Sequence, residues 1–354
     1  MSDLALSATG RVTFPGAGDV FEKMCAHLEE HIDLRRDGST ARAETADVRI
    51  DFSWRRETFE IVARAADDAS MVAVREMVVS HLREFGGEAA GKVDWTGAAL
   101  TAAAPKRSYR RLTVTGVADI TPHMRRLTLA GDDLAVFARG GVHLRLLLPH
   151  TPGADVGEPV ITDADRMIWP QEAEQPQVRV YTIRRIDVAA GTLAIDFLLH
   201  GEDDHCPGAG FARRARAGDR LAVYGPVGRD VPPARRYVLA GDETALPMIA
   251  RMLEEMPAEA RAEVLLECDG PDDELVLAAP GNATIRWVHR RPAPAPASAA
   301  LEAAFRALPI AGPAEDIYVI FAAEAAAARR VRGYLRADLG LPVARYMSAG
   351  FWDA

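Results

Sequence analysis

A chain of three parts is predicted: an N-terminal α+β domain, an antiparallel six-stranded β-barrel, and a C-terminal α/β domain built on a parallel sheet. Three observations predict it. The apolar period changes near residue 107 and again near residue 235. A tract of small and polar residues, Glu88–Lys106, separates the first part from the second. The chain has 354 residues, which at about 100–200 per domain suits two or three domains. The boundaries drawn are 1–100, 107–231 and 235–354.

In the first part a short strand near Gly10–Phe14 leads through Pro15 and Gly16 into an amphipathic helix over Asp19–His31. Ala46–Trp54 puts Val48, Ile50, Phe52 and Trp54 on one face, and Glu57–Ala65 repeats the period of two. Asp67–Phe85 aligns Met71, Val74, Val78 and Leu82 along one helical side, and Gly86-Gly87 ends it. The second part alternates in short runs: Arg110–Val117, Met124–Ala130, His143–Pro149, Val178–Asp187, Leu193–His200 and Arg220–Tyr224. Gly131-Asp132, Ala190-Gly191 and Gly218-Asp219 punctuate them, which is the pattern of a small antiparallel barrel. One helix, Gly208–Arg216, and a polar insertion, Thr151–Gln177 with Trp169 and Pro170, interrupt it. In the third part, apolar runs at Tyr237–Ala240, Ala262–Cys268, Ala283–His289 and Ile317–Ala322 alternate with helical segments at Thr244–Met256, Ser298–Leu308 and Ala323–Leu339. That βαβ order implies a parallel sheet, with Arg290–Pro296 as a surface spacer.

Apolar residues make up 49% of the chain, enough for a core, so disorder is excluded as the main state. A net charge of −9 excludes a chain-wide nucleic-acid footprint, and an anionic ligand must meet a local cationic patch. Cys25, Cys206 and Cys268 lie far apart, which excludes local zinc-finger or iron–sulfur spacing and a disulfide scaffold. The start MSDLALSATG lacks the basic and apolar regions of a signal peptide, and no run of 18 apolar residues exists. A cytoplasmic chain with no membrane span is expected. Cys25, His27, His31 and His81 include one His pair at helical spacing, but with no fourth ligand no metal is assigned.

Three segments carry candidate chemistry. Arg179-Val180-Tyr181-Thr182-Ile183-Arg184 lies on a barrel strand, with Arg179 and Tyr181 on one face and Thr182 on the other unless the strand bends. A flavin dinucleotide needs a cation for its pyrophosphate, a flat surface for its ring and a hydroxyl near its reactive nitrogen. This hexapeptide offers all three, although an exposed strand with alternating Arg reads the same way. Cys206-Pro207-Gly208-Ala209-Gly210-Phe211 is a glycine-containing turn into a helix, where free N–H groups suit a phosphate. His200 precedes it and reads equally as a locally bonded strand end. Leu239–Pro247 follows the first strand of the third part, at the carboxyl edge where such sheets bind ligands. Asp242 or Thr244 could instead cap the next helix. No GxGxxG is present.

In this order, RVYTIRR, DFLLHG, AGDRLAVYGPVG and LAGDETALP, with the tail Gly350-Phe351-Trp352, resemble the siderophore-interacting protein family, flavin-binding relatives of the ferredoxin–NADP reductases. The resemblance covers about Arg107–Trp352. It implies FAD in the barrel and NAD(P)H-driven reduction of a ferric siderophore. By position it implies that Arg179 meets the FAD phosphates, Tyr181 flanks the isoalloxazine and Thr182 approaches its reactive nitrogen, with Ile183 and Arg184 completing the motif. His200, Pro207, Gly208, Ala209, Gly210 and Phe211 would surround the pyrophosphate. Asp242, Glu243, Thr244, Ala245 and Trp352 would lie at the flavin and the nicotinamide entry. A cationic rim for an anionic chelate is expected from Arg145, Arg184 and Arg345. No catalytic side chain is expected, because the flavin carries the chemistry.

The family usually has Gly at Ala323 and a basic residue at Asp353. These departures would suit an accessory protein that binds flavin or chelate without turnover; a generic flavin or ferredoxin reductase is the third reading. Cys206, Ala209 and Phe211 also depart, from Gly, Ser or Thr, and Trp. The first hundred residues are similar, through CAHLEEH and HLREFG, to a small uncharacterised domain of some family members.

Overall fold

In the computed structural model the described residues are 4–29, 32, 34–44, 48–66, 68–97, 109–151, 154, 156, 159–161, 167–168, 176–200, 206–228, 231–290, 298–310, 313 and 316–353. His31, residues 98–106 of the expected linker, Trp169 and Pro170, and most of Arg290–Pro296 lie outside them. Two compact units emerge: Met1–Arg107 with Gly157–Glu172, and Ser108–Val156 with Ala173–Ala354.

The first unit contains β1 (Leu6–Thr13), α1 (Ala17–Glu29), β2 (Leu34–Asp37), β3 (Thr40–Glu44), β4 (Val48–Arg55), β5 (Thr58–Ala65), α2 (Asp68–Ala90) and β6 (Asp94–Gly97). One sheet runs in the order β2-β3-β4-β5-β1-β6, with every pair antiparallel. Phe21 and Met24 of α1 and Met71 and Leu82 of α2 are buried in one core with Phe52, Phe59 and Ile61 of the sheet. Three strands were expected, and six are present among the described residues. β2 and β3 hide in the charged run LRRDGSTARAE, where only Ala41 and Ala43 are buried, and β6 lies inside the expected linker. The Gly86-Gly87 stop is a kink: Gly87 has φ 76°, and helix continues beyond it to Ala90.

The second unit opens with the barrel: β7 (Tyr109–Thr121), β8 (Met124–Ala130) and β9 (His143–Leu148). The short hairpin β10 (Val160–Ile161) and β11 (Met167–Ile168) belongs to the stretch grouped with the first unit. The barrel continues through β12 (Gln177–Thr182), β13 (Arg185–Asp187), β14 (Thr192–Leu198), α3 (Pro207–Arg214) and β15 (Arg220–Val227). Its sheet order is β12-β9-β15-β7-β8-β14-β13, all antiparallel. These are the six expected strands, except that Val178–Asp187 is broken at Ile183 and Arg184. β12 pairs with β9, whereas β13 pairs with β14, and the Arg184 N–H donates to the Ala194 carbonyl at 2.8 Å. The break closes the barrel, because one expected strand belongs to both ends of the sheet.

The α/β half follows: β16 (Arg236–Gly241), α4 (Leu246–Glu255), β17 (Arg261–Cys268), β18 (Ala283–His289), α5 (Ala299–Arg306), β19 (Ile317–Glu324), α6 (Ala325–Gly333) and β20 (Tyr346–Trp352). The sheet is parallel throughout, in the order β18-β17-β16-β19-β20. All eight residues of β19 are buried, as expected for an inner strand covered on both faces. The expected helix Ala323–Leu339 starts late: Ala323 and Glu324 are strand, and the Glu324 carboxylate accepts from the Ala326 and Ala327 N–H groups at 2.6 and 2.8 Å. The aromatic tail is a fifth strand, β20. Among the described residues no helix is long and apolar enough to cross a membrane.

Candidate functional site

The site grows from the end of β12. Residues paired directly across two strands share a face. Arg179 and Tyr181 stand opposite Leu146 and Leu144, on the barrel-core side, whereas Val180 and Thr182 stand opposite Arg145 and His143 on the other. Because β12 ends the sheet order, a long ligand lying along it can reach both faces. Val178 and Val180 are 44% and 59% exposed, an apolar edge left to solvent beside the exposed Arg179.

Tyr181 packs its ring 4.5 Å from that of Phe197, and burial holds its hydroxyl far above the ordinary phenol range. That hydroxyl abuts Gly208, where any Cβ would collide with it, so Gly208 is the residue that fits. Gly208, Ala209 and Gly210 are buried in the first turn of α3, Pro207 occupies its first position, and Cys206 supplies no side-chain cap. Phe211 packs on the barrel core. Arg125 on β8 fixes the other end of α3 by donating to the Ala212 and Arg213 carbonyls at 3.2 and 3.0 Å. His200 is exposed, and its carbonyl accepts from Arg213 at 3.0 Å. A cavity of about 710 Å³ opens beside Pro207 and Phe211, with Arg111, His150, Arg214 and Arg220 among its walls.

Beyond Thr182 the chain dives inward. Ile183 enters the barrel core, its carbonyl accepting from the buried Arg251 of α4 at 2.9 Å. Arg184 forks onto Glu254 of α4 at 2.9 and 2.7 Å and approaches Asp196 at 3.9 Å. The barrel and the parallel sheet meet here. His143, opposite Thr182, sets its ring 5.9 Å from that of Phe351 on β20, edge to face. The next residue, Trp352, donates its indole N–H to Asp242 at 2.7 Å, and Asp242 also accepts the Thr244 N–H at 2.9 Å. Asp242 is buried, which pushes its carboxyl upward against these hydrogen bonds. It therefore braces Trp352 and Thr244; α4 begins after Ala245 with no side-chain cap.

Several expected positions lie elsewhere. Arg184 is 6% exposed and ion-paired, so it offers no cation to a rim. Arg345 precedes β20 while Trp352 ends it, about 20 Å apart along a strand. It lies at the amino edge of the sheet, away from the tail. Arg145 remains half-buried beside Val180, over the Tyr224 ring at 5.9 Å. Glu243 is buried and forks onto Arg290, one arm at 2.6 Å, so its carboxylate is paired with that cation. Ala245 is buried in the sheet–helix core, and Ala323 buries its methyl in the core on the opposite face. His143 is the residue the sequence did not single out. Its Nε2 is buried without a hydrogen-bond partner, and burial and Arg251 lower its pKa to about 4, so the ring is neutral.

Residues 234–354 match the siderophore-interacting protein family, residues 113–230 its siderophore-interacting FAD-binding domain, and residues 9–96 an uncharacterised domain conserved in bacteria. The ferric vibriobactin reductase ViuB of Vibrio cholerae is 32% identical over 237 residues, 66% of this chain and 85% of that protein. The chain belongs to the siderophore-interacting protein family. This siderophore-interacting protein is also 36% identical over 152 residues to the NADPH-dependent ferric-chelate reductase of Escherichia coli, covering 41% and 56% of the two chains. A siderophore utilization protein from T. fusca superposes with a TM-score of 0.60 at 35% identity, covering 69% of this chain and 92% of that one. The siderophore-interacting protein SipS from Aeromonas hydrophila gives 0.58 at 33%, covering 70% and 92%.

The barrel is thus an FAD-binding domain, and its residues fit FAD. Val178 and Val180 leave an apolar edge uncovered, and His143 Nε2 is a buried polar atom in want of a partner.

Proposed function

We propose that this siderophore-interacting protein reduces ferric siderophores with electrons from NADPH or NADH and so releases ferrous iron. The observation that carries the reading is the seam joining Thr182 and His143 on the barrel to Phe351, Trp352 and Asp242 at the carboxyl edge of the parallel sheet. A flavin lying along β12 and a nicotinamide entering at the sheet edge would meet there. Bound FAD supplies the conversion of a hydride into single electrons.

The chain's own residues bind and orient. Arg179 holds phosphate charge, Gly208 lets the α3 backbone come close, and Thr182 presents a hydroxyl to the flavin's polar edge. Neutral His143 adds a hydrogen-bonding nitrogen with no charge of its own. Trp352, braced by Asp242, covers the edge and keeps water from it. Arg145 beside Val180 would lend positive charge near an anionic chelate. The relatives named as ferric reductases support the substrate class. The accessory-protein reading leaned on Ala323 and Asp353, and the Ala323 methyl is buried in the core, where it would not intrude on a nucleotide.

The test is oxidation of NADH and of NADPH by the FAD-loaded chain, with and without a ferric siderophore and an Fe(II) trap. The trap matters because siderophores hold Fe(III) far more tightly than Fe(II). Siderophore-dependent acceleration is expected. A fully flavinated chain that oxidises neither coenzyme overturns the reading, and a rate indifferent to the siderophore would identify a generic flavin reductase.

A further inference from the structure

We propose that His27 and His81 of the first unit together hold one divalent first-row transition-metal ion. His27 lies in the last turn of α1 and His81 within α2, both half-buried. Their ring centroids are 5.0 Å apart, with the planes tilted by 46°. Phe85, one turn beyond His81, stacks on His81 at 6.3 Å and lies tilted against His27 at 5.6 Å.

The spacing suits two ligands on one ion. A metal–nitrogen bond of about 2.0–2.1 Å puts a metal roughly 3.2 Å from each ring centre. Ligands about 90–110° apart then set the centroids about 4.5–5.2 Å apart, whereas ligands on opposite sides would set them beyond about 6 Å. The observed 5.0 Å is the adjacent arrangement, which excludes axial ligands sandwiching a haem.

The proton on His81 is also fixed. Its Nδ1 lies 2.7 Å from the Met77 carbonyl, which can only accept, so Nδ1 carries a hydrogen and Nε2 is the nitrogen left to meet an ion. Metal-ligating histidines are oriented in this way, through the ring nitrogen that does not touch the ion. Cys25 is not a further ligand in this proposal: it is fully buried in the core of the first unit. Two imidazole ligands, with water in the remaining positions, select zinc, copper, nickel, cobalt or ferrous iron over calcium or magnesium. A fourth ligand was lacking in the sequence; the fold supplies the pairing of a histidine from each of two helices.

The experiment uses the untagged full-length chain, stripped with a chelator and titrated with Co(II), read by its visible absorption and by competition with Zn(II). One ion per chain is expected, and His27→Gln and His81→Gln should each weaken binding at least tenfold. His123 is the control, because its ring with Asp269 and Asp273 brings three ligand atoms within 4.8 Å. Binding lost in His123→Gln but kept in both other variants overturns the proposal, as does absence of binding at high micromolar metal. X-ray absorption of the zinc-loaded unmutated chain serves where a variant fails to fold. Two imidazoles in the first shell are expected; sulfur, or no imidazole, overturns it.

Discussion

At the scale of single residues, His143 carries a pH signature. Its folded pKa of about 4 lies below the ordinary value near 6.5. Between those values the unfolded chain holds a proton that the folded chain does not. Stability must therefore fall as pH drops from about 6.5 toward 4, by roughly 3 kcal/mol. Melting temperatures of the flavin-free chain between pH 7.5 and 4.5 should decline less steeply in His143→Gln; parallel declines would remove His143 as their source. Arg179→Ala tests the phosphate cation. Deleting a charged donor costs about 1.5–3 kcal/mol, at least a tenfold loss of FAD affinity. Fluorescence titration reads it, and unchanged affinity would take Arg179 out of the site.

At the scale of elements, the close approach of α3 to β12 is the sensitive joint. Gly208→Ala drives a methyl into the Tyr181 hydroxyl, and such overpacking costs about 1–3 kcal/mol. Melting temperature and FAD content should both fall, and adding Tyr181→Phe, which removes the colliding oxygen, should restore part of each. No recovery in the double variant would mean that the backbone of α3 itself had shifted. The barrel strands and βαβ order were legible because apolar periods of two and of 3.6 survive in the sequence. β2 and β3 were not, since an exposed hairpin rich in Arg, Asp and Glu buries almost nothing. Arg179, Tyr181 and Gly208 were legible because one local motif carries their chemistry. His143 was not, because its role comes from cross-strand register with Thr182 and from contact with Phe351, more than 200 residues later. The partners and places of Arg184, Glu243 and Arg345 were illegible for a related reason. Sequence shows a cation or carboxylate near a motif, and only the fold shows that Glu254 or Arg290 has claimed it, or that it lies at the opposite edge of the sheet.

At the scale of the whole molecule, every candidate flavin residue lies in the second unit. The first unit has a separate core of its own, built on Phe21, Phe52, Phe59 and Met71. A chain lacking residues 1–100 should therefore keep its FAD absorption spectrum, with occupancy within about a fifth of the intact protein. Loss of flavin on truncation would make the N-terminal unit part of the site. The same division separates the proposed metal from the flavin, so truncation should abolish Co(II) binding while leaving the yellow colour.

The hydrogen bond from Trp352 to Asp242 has a consequence for proton balance. Burial already raises the affinity of Asp242 for a proton, and the indole N–H is one of the donors opposing that rise. A coenzyme that lifts Trp352 away removes this donor, and the carboxylate must then draw a proton from solvent more readily than before. Coenzyme binding and proton uptake become one event. Calorimetry in buffers of different ionisation heat would read it as a buffer-dependent enthalpy, and that dependence should shrink in Asp242→Asn.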